Sequence, residues 1–213
     1  SKRPDALTSG AQGTFVLGSF VRSWFYWTVS PVVRASLAVG LGPTFYNLLG
    51  VAFGIGAGVA FASGNVTLGG WGVLLGGMAD VLDGRIARAG GLADARGAFL
   101  DSTLDRFAEI GAFVGLAVLF RSSPFTLAMA VIAMGGALLV SYARARGESQ
   151  GVVCKLGVMQ RAERLLLLGL GGLLDPTVSR LWGADSVGTL LVPVLGLVDS
   201  DPCAWTLNKA QKK

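Results

Sequence analysis

From Pro43 to Ala62 the chain runs for twenty residues without a charged side chain. At about 1.5 Å of rise per residue, an α-helix of that length matches the roughly 30 Å hydrocarbon thickness of a bilayer. Further apolar stretches follow at 66–89, 96–120, 125–146, 157–174 and from Ser186 onward, parted by short runs rich in Gly, Ser, Asn or Pro and by one longer polar loop at 147–155. Continuous apolar runs read as helices, not as the alternating pattern of a membrane β-barrel. Ahead of them, residues 15–39 mix Trp24, Phe25, Tyr26 and Trp27 with Arg22 and Arg34, a composition suited to the headgroup layer, with a break expected at Pro31. The expected fold is therefore all-α, a polytopic membrane protein of six transmembrane helices preceded by an amphipathic interfacial helix. It divides into an N-terminal segment, residues 1–42, and a six-helix domain, residues 43–213. Asp175-Pro176 is expected to close the fifth span. Asp185 is expected to cap the sixth, which Asp199, Asp201 and Pro202 interrupt.

Composition agrees. A mean hydropathy of +0.60 with only 15% charged residues is too apolar for an ordinary soluble domain of this size. The chain has no histidine, which removes Ser-His-Asp triads, Cys-His pairs and histidine metal sites. Its two cysteines, Cys154 and Cys203, form no metal-binding spacing and read as small buried residues. The net charge of +5 reads as cytoplasmic loops on an anionic membrane face, with no nucleic-acid partner. With six spans and both termini cytoplasmic, 16 of the 18 Lys and Arg residues fall inside and only Arg121 and Arg180 outside, as the positive-inside rule requires. Residues 1–13 show no cleavable signal peptide. Glycine is abundant, and Gly50-x3-Gly54-x3-Gly58 and Gly111-x3-Gly115 are spaced for close helix–helix approach.

Of 13 acidic residues, six lie between Asp80 and Glu109. Asp80 and Asp83 are three apart, Asp101 and Asp105 four apart, so each pair shares one helix face. The Gly90-Gly91 turn between them lets the two helices return antiparallel, which brings both pairs to similar depth near the cytoplasmic end. Carboxylates converging in a membrane cost several kcal/mol each unless cations compensate them. Arg85, Arg88 and Arg106 could do so as simple ion pairs. Oxygen-only ligands otherwise suit hard divalent ions, Mg²⁺ or Mn²⁺, and four carboxylates suffice for a two-metal site, whose usual chemistry is in-line displacement at phosphorus.

The run Asp80-x2-Asp83-Gly84-x2-Ala87-Arg88-x8-Gly97-x3-Asp101-x3-Asp105 resembles the signature of the CDP-alcohol phosphatidyltransferase family, matching all eight fixed positions over 26 residues. The six-span plan and the interfacial helix resemble that family too. The resemblance implies that Asp80, Asp83, Asp101 and Asp105 hold two Mg²⁺ or Mn²⁺ ions per subunit. It implies that Asp105 is also the general base for the acceptor hydroxyl. Gly84, Ala87, Arg88 and Gly97 would receive the CDP moiety, with Arg88 on the pyrophosphate. The family often has Pro-Asn or Pro-Asp followed by Thr at the start of the first span. Here Pro43-Thr44 stand there as nucleotide contacts. Three residues before Gly97, where a small hydroxyl residue is common, this chain has Asp94, expected to face solvent or Arg96. The implied reaction transfers a phosphatidyl group from CDP-diacylglycerol, or a related CDP-lipid, to an alcohol with release of CMP. It would take place at the cytoplasmic face of a bacterial or archaeal cell membrane, in a homodimer.

A second basic group, Arg144, Arg146, Lys155, Arg161 and Arg164, lies at the cytoplasmic ends of the fourth and fifth spans. It reads either as ordinary positive-inside anchoring or as a pocket for an acceptor's phosphate formed by Arg144, Arg146, Arg161 and Arg164. The segment Ser141-Tyr142-x-Arg144-Ala145-Arg146 with Arg161-x-Glu163-Arg164 resembles bacterial phosphatidylinositol-phosphate synthases, which implies inositol 1-phosphate as acceptor. Glycerol 3-phosphate and serine stand as alternatives. In another class stands a non-catalytic metal-binding transporter using the same carboxylates, although no internal repeat supports it.

Overall fold

The computed structural model describes residues 18–92, 94–150, 161–182 and 188–198, with side chains placed from residue 29 to 195 of these. The described residues form helices α1 (Gly18–Val39), α2 (Pro43–Ala62), α3 (Val66–Ala89), α4 (Ala95–Leu119), α5 (Pro124–Ser149), α6 (Arg161–Leu181) and α7 (Leu191–Val198), and no strand. Two of them, α2 and α5, are long and apolar enough to cross a membrane. α3, α4 and α6 carry the charged residues that take them out of that class. Cys154, Cys203, Asp185 and the Asp199–Pro202 segment lie outside the described residues.

Helices α2 to α5 begin where local chemistry starts them. Pro43 and Pro124 sit at the first positions of α2 and α5, where a missing N–H costs nothing. Asn65 caps α3 by accepting the Leu68 N–H at 3.2 Å, and Asp94 caps α4. Gly64 (φ 85°) and Gly91 (φ 66°) turn the chain in the left-handed region that favours glycine.

Two expected helix ends are not ends. α1 runs straight through Pro31. Val29 and Val33 flank the proline and are both buried, in a cluster with Tyr46 of α2 and Leu82 and Ile86 of α3. Packing on both sides of Pro31 therefore holds the helix across the one missing hydrogen bond. Ser36 Oγ lies 2.6 Å from Tyr46 Oη, which fixes α1 to the start of α2. Likewise α6 does not close at Asp175-Pro176 but continues to Leu181. The Asp175 side chain is fully buried, and it accepts the N–H groups of Gly188 (2.9 Å), Leu190 (2.8 Å) and Leu191 (3.2 Å). It caps the next helix from inside α6, so it joins two elements where it was expected to separate them.

α2 packs on α3 and α4, and α3 packs on α6. The expected glycine faces make these approaches possible. A Cβ on Gly54 would meet Ala108 Cβ at 2.6 Å, and one on Gly58 or Gly115 would run into the facing backbone. On the other side of α3, a Cβ on Gly70 would meet the Gly169 carbonyl of α6 at 2.6 Å. Around these contacts Phe61, Leu116, Leu168, Leu191 and the Ala130, Ala133, Ala137 face of α5 form the core. A Gly58→Leu substitution is expected to lower the thermal unfolding midpoint in detergent or abolish folded yield, since overpacking typically costs about 1–3 kcal/mol and backbone leaves no room to relax. Gly56→Ala, which meets nothing within 4 Å, should unfold like the unmodified protein.

Candidate functional site

The turn between α3 and α4 sets two acid-bearing helix ends side by side. Leu92 N donates to Ala87 O at 2.9 Å, closing α3. Asp94 then accepts the Gly97 N–H at 2.6 Å. Asp94 is thus solvent-exposed as expected, but its partner is the first turn of α4 and not Arg96. A Cβ at Gly97 would lie 2.6 Å from Asp94 Oδ1, so a larger residue there would make the capping carboxylate shift.

Asp80, Asp101 and Asp105 each offer an oxygen within 4.8 Å of the others. Asp83 is buried beside Asp101 in the wall of an adjoining pocket. Asp101 Oδ1 is buried with no hydrogen-bond partner. A three-carboxylate, all-oxygen donor set with an orphaned buried oxygen fits a hard divalent cation such as Mg²⁺ or Mn²⁺. The compensating charge already present comes from a distance in sequence. Arg161, at the start of α6, donates through Nη1 to Asp80 Oδ1 at 2.9 Å and to Asp105 Oδ2. Arg85 donates through Nη2 to Ser30 Oγ of α1 at 3.3 Å.

The adjoining pocket, about 200 Å³, is lined by Pro43, Thr44 and Asn47 of α2, by Asp83, Gly84, Ala87 and Arg88 of α3, and by Asp94, Gly97 and Asp101. All six residues expected to contact a nucleotide therefore face one cavity, although Pro43 and Gly97 are 54 positions apart. At Gly84 a Cβ would stand 3.4 Å from Arg88 Nη1, an ordinary contact, so the guanidinium lies along α3 against this position. Asn47 was missed in the sequence. It is buried, and its Oδ1 has no partner. Its position three residues after Thr44 on one helix face was the available signal.

The four arginines expected to form one cluster are divided. Arg161 lies on the acids. Arg164, one turn further along α6, is buried against Glu109 of α4, with Nη2 3.6 Å from Oε1 and both side chains at most 4% exposed. Arg144 pairs with Glu148 at 3.0 Å on the exposed end of α5, and Arg146 is exposed beside it. Glu109 was not singled out from the sequence, though it stands four residues after Asp105 on the same face. Two layers of ion pairs thus link α6 to α4, Arg161–Asp105 and Arg164–Glu109. Asp94→Ala should destabilise the protein by about 1 kcal/mol through the lost cap, while Asp94→Ser should keep most of it. Thermal unfolding of the two variants checks this.

Comparison with known proteins places this geometry. Residues 41–196 match the family model described as CDP-alcohol phosphatidyltransferase. The chain is 35% identical over 149 residues to the archaetidylinositol phosphate synthase of Methanothermobacter thermautotrophicus, covering 67% of this chain and 74% of that one. It resembles the crystal structure of Mycobacterium tuberculosis phosphatidylinositol phosphate synthase with CDP-DAG bound (TM-score 0.70, 26% identity, 84% of this chain and 92% of that chain). The same mycobacterial enzyme in complex with manganese and citrate gives a TM-score of 0.71 at 27% identity, over 84% of this chain and 86% of that one. With the eight-residue signature lining one pocket and one acid cluster, and the family model spanning α2 to α7, the chain belongs to the CDP-alcohol phosphatidyltransferase family and is an enzyme of that class.

Proposed function

We propose that this enzyme transfers the phosphatidyl group of CDP-diacylglycerol, or of a related CDP-lipid, to inositol 1-phosphate and releases CMP. The observation that carries the reading is the junction of the nucleotide-sized pocket with the Asp80, Asp101, Asp105 cluster, Asp101 belonging to both. The names of the relatives, an archaetidylinositol phosphate synthase and a phosphatidylinositol phosphate synthase, support the acceptor. Membership of an enzyme family tells against the transporter alternative.

The CDP moiety enters between the start of α2 and the α3–α4 turn. Arg88 takes the pyrophosphate oxygens in a charge-assisted contact, and the glycines at 84 and 97 keep the approach open. Asn47 offers its carboxamide to the nucleotide. Asp80, Asp83, Asp101 and Asp105 hold two divalent cations, Mg²⁺ or Mn²⁺, which supply positive charge where the leaving phosphate develops negative charge. Asp105 accepts the acceptor's hydroxyl proton. The freed oxygen forms a bond to the lipid-bearing phosphorus, and the phosphorus–oxygen bond to CMP breaks with its electron pair. Of the four arginines Arg144, Arg146, Arg161 and Arg164, the first three supply the positive charge that lets an anionic acceptor approach the acids, while Arg164, buried against Glu109, holds α6 in place beneath them.

The membrane arrangement belongs to the same reading: residues 43–213 form six spans, residues 1–42 an N-terminal segment with an interfacial helix, both termini and the active site face the cytoplasm, and the enzyme works as a homodimer. The apolar windows of α2 and α5 are only 28% and 17% buried, as suits helices facing lipid.

The deciding experiment is CMP release by purified protein with CDP-diacylglycerol, Mg²⁺ and a panel of acceptors. Inositol 1-phosphate should be preferred, glycerol 3-phosphate second, and chelation should abolish turnover; preference for serine or free inositol would refute the acceptor. Arg146→Ala should raise the acceptor KM about 10–100-fold, the loss of roughly 1.5–3 kcal/mol for a charge-assisted contact, with little change for CDP-lipid. Asp105→Asn should lower kcat by about 10²-fold or more with CDP-lipid binding retained, and near-normal turnover would assign the proton to another group.

A further inference from the structure

We propose that Arg161 is an exchangeable counter-cation of the acid cluster: it holds Asp80 and Asp105 together until a divalent cation takes their oxygens, and the released guanidinium then serves the acceptor's phosphate. The inference rests on the metal-dependent reading above and adds a coupling between two of its ligands.

Arg161 contacts two of the three clustered carboxylates, Asp80 on α3 and Asp105 on α4, and does so from α6. Both contacts use the same nitrogen, Nη1. This is not the parallel two-nitrogen fork that makes arginine–carboxylate pairs strong. Its Nε is buried without a partner, so the guanidinium is only partly satisfied in this seat. The pair layer is also open to solvent: the Arg161, Asp80 and Asp105 side chains are 22%, 29% and 16% exposed. A group held by one nitrogen at a partly exposed place can leave without stranding a charge in the core.

The layer one turn further along α6 is built differently. Arg164 and Glu109 are 4% and 3% exposed, and separating such a pair would leave an uncompensated buried charge. Helix α6 otherwise packs on α3 and α7, while α4 packs chiefly on α2 and α5. The Arg164–Glu109 pair therefore keeps α6 in register with α4 while Arg161 changes partners. The exchange becomes a side-chain movement and needs no shift of helices.

A divalent cation and the Arg161 Nη1 compete for the same oxygens of Asp80 and Asp105. Whatever draws Arg161 away must then favour the cation, and by linkage the cation must favour whatever binds the released guanidinium to the same extent. An anion carrying the acceptor's chemistry, for which inorganic phosphate is the simplest probe, is such a ligand. Competition alone makes the apparent affinity for the cation weaker than the intrinsic one by the fraction of molecules with Arg161 displaced.

The test is Mn²⁺ binding, followed by electron paramagnetic resonance, to the full-length protein in detergent micelles, with and without inorganic phosphate below the point of manganese phosphate precipitation. Arg161→Gln should bind Mn²⁺ about tenfold more tightly than the unmodified protein, and Arg161→Lys, which keeps the charge on a different geometry, should fall between. Phosphate should tighten Mn²⁺ binding about threefold or more in the unmodified protein and leave Arg161→Gln unchanged. If Arg161→Gln does not stay folded without metal, Arg161→Lys carries the comparison. Equal Mn²⁺ affinity in all three proteins, or the same phosphate effect with and without Arg161, overturns the exchange and leaves the metal site standing. Failure of the unmodified protein and both variants to bind Mn²⁺ overturns the exchange and the metal-dependent reading together.

Discussion

Asp80, Asp101 and Asp105 bring three carboxylate oxygens within 4.8 Å of one another. At that separation, with an effective dielectric near 20, each like-charged pair repels by about 3–4 kcal/mol. Much of the architecture can be read as the means of holding this cluster. Glycine and alanine faces let α2 approach α3 and α4 closely enough to form a rigid frame. The α3–α4 turn sets both acid pairs at one end of it, and α6 brings Arg161 across to the oxygens.

The same frame separates two groups of side chains. On one side of Asp101 lies the pocket lined by Gly84, Ala87 and Arg88; on the other lie Asp105 and Arg161 of α6. Asp101 and Asp105, four residues apart on α4, therefore carry the pocket wall and the acid cluster on a single helix. A single helix holds the two carboxylates at a fixed spacing, and that rigidity is what the proposed displacement at phosphorus would require of them. The buried Arg164–Glu109 pair extends that rigidity to α6. At the far end of the same helix, Asp175 does the corresponding work for α7 by accepting three backbone N–H groups.

Much of this was legible in the sequence because it is local. A twenty-residue apolar run with Pro at its start predicts α2, and the structure forms it at Pro43–Ala62. Three- and four-residue spacing puts Asp80 with Asp83 and Asp101 with Asp105 on common faces whatever the rest of the chain does. Where the expectation went wrong, a local signal met a stronger tertiary one. Pro31 lies between two buried valines that hold α1 together, and Asp175-Pro176 looks like a helix end until Asp175 is seen to bond a segment more than ten residues downstream.

The sequence by itself determined the elements and the chemistry that each face can offer, since helical periodicity, capping and the pairing of donor types depend on near neighbours. Only the tertiary structure decided which faces meet. Arg161 reaches Asp80 across 81 residues and Asp105 across 56, and it is parted from Arg164, three residues away, which turns to Glu109. Arginines that read as one basic cluster along the chain thus acquire separate partners, because an ion pair between helices is set by their relative register and rotation. No spacing within a single helix carries that information.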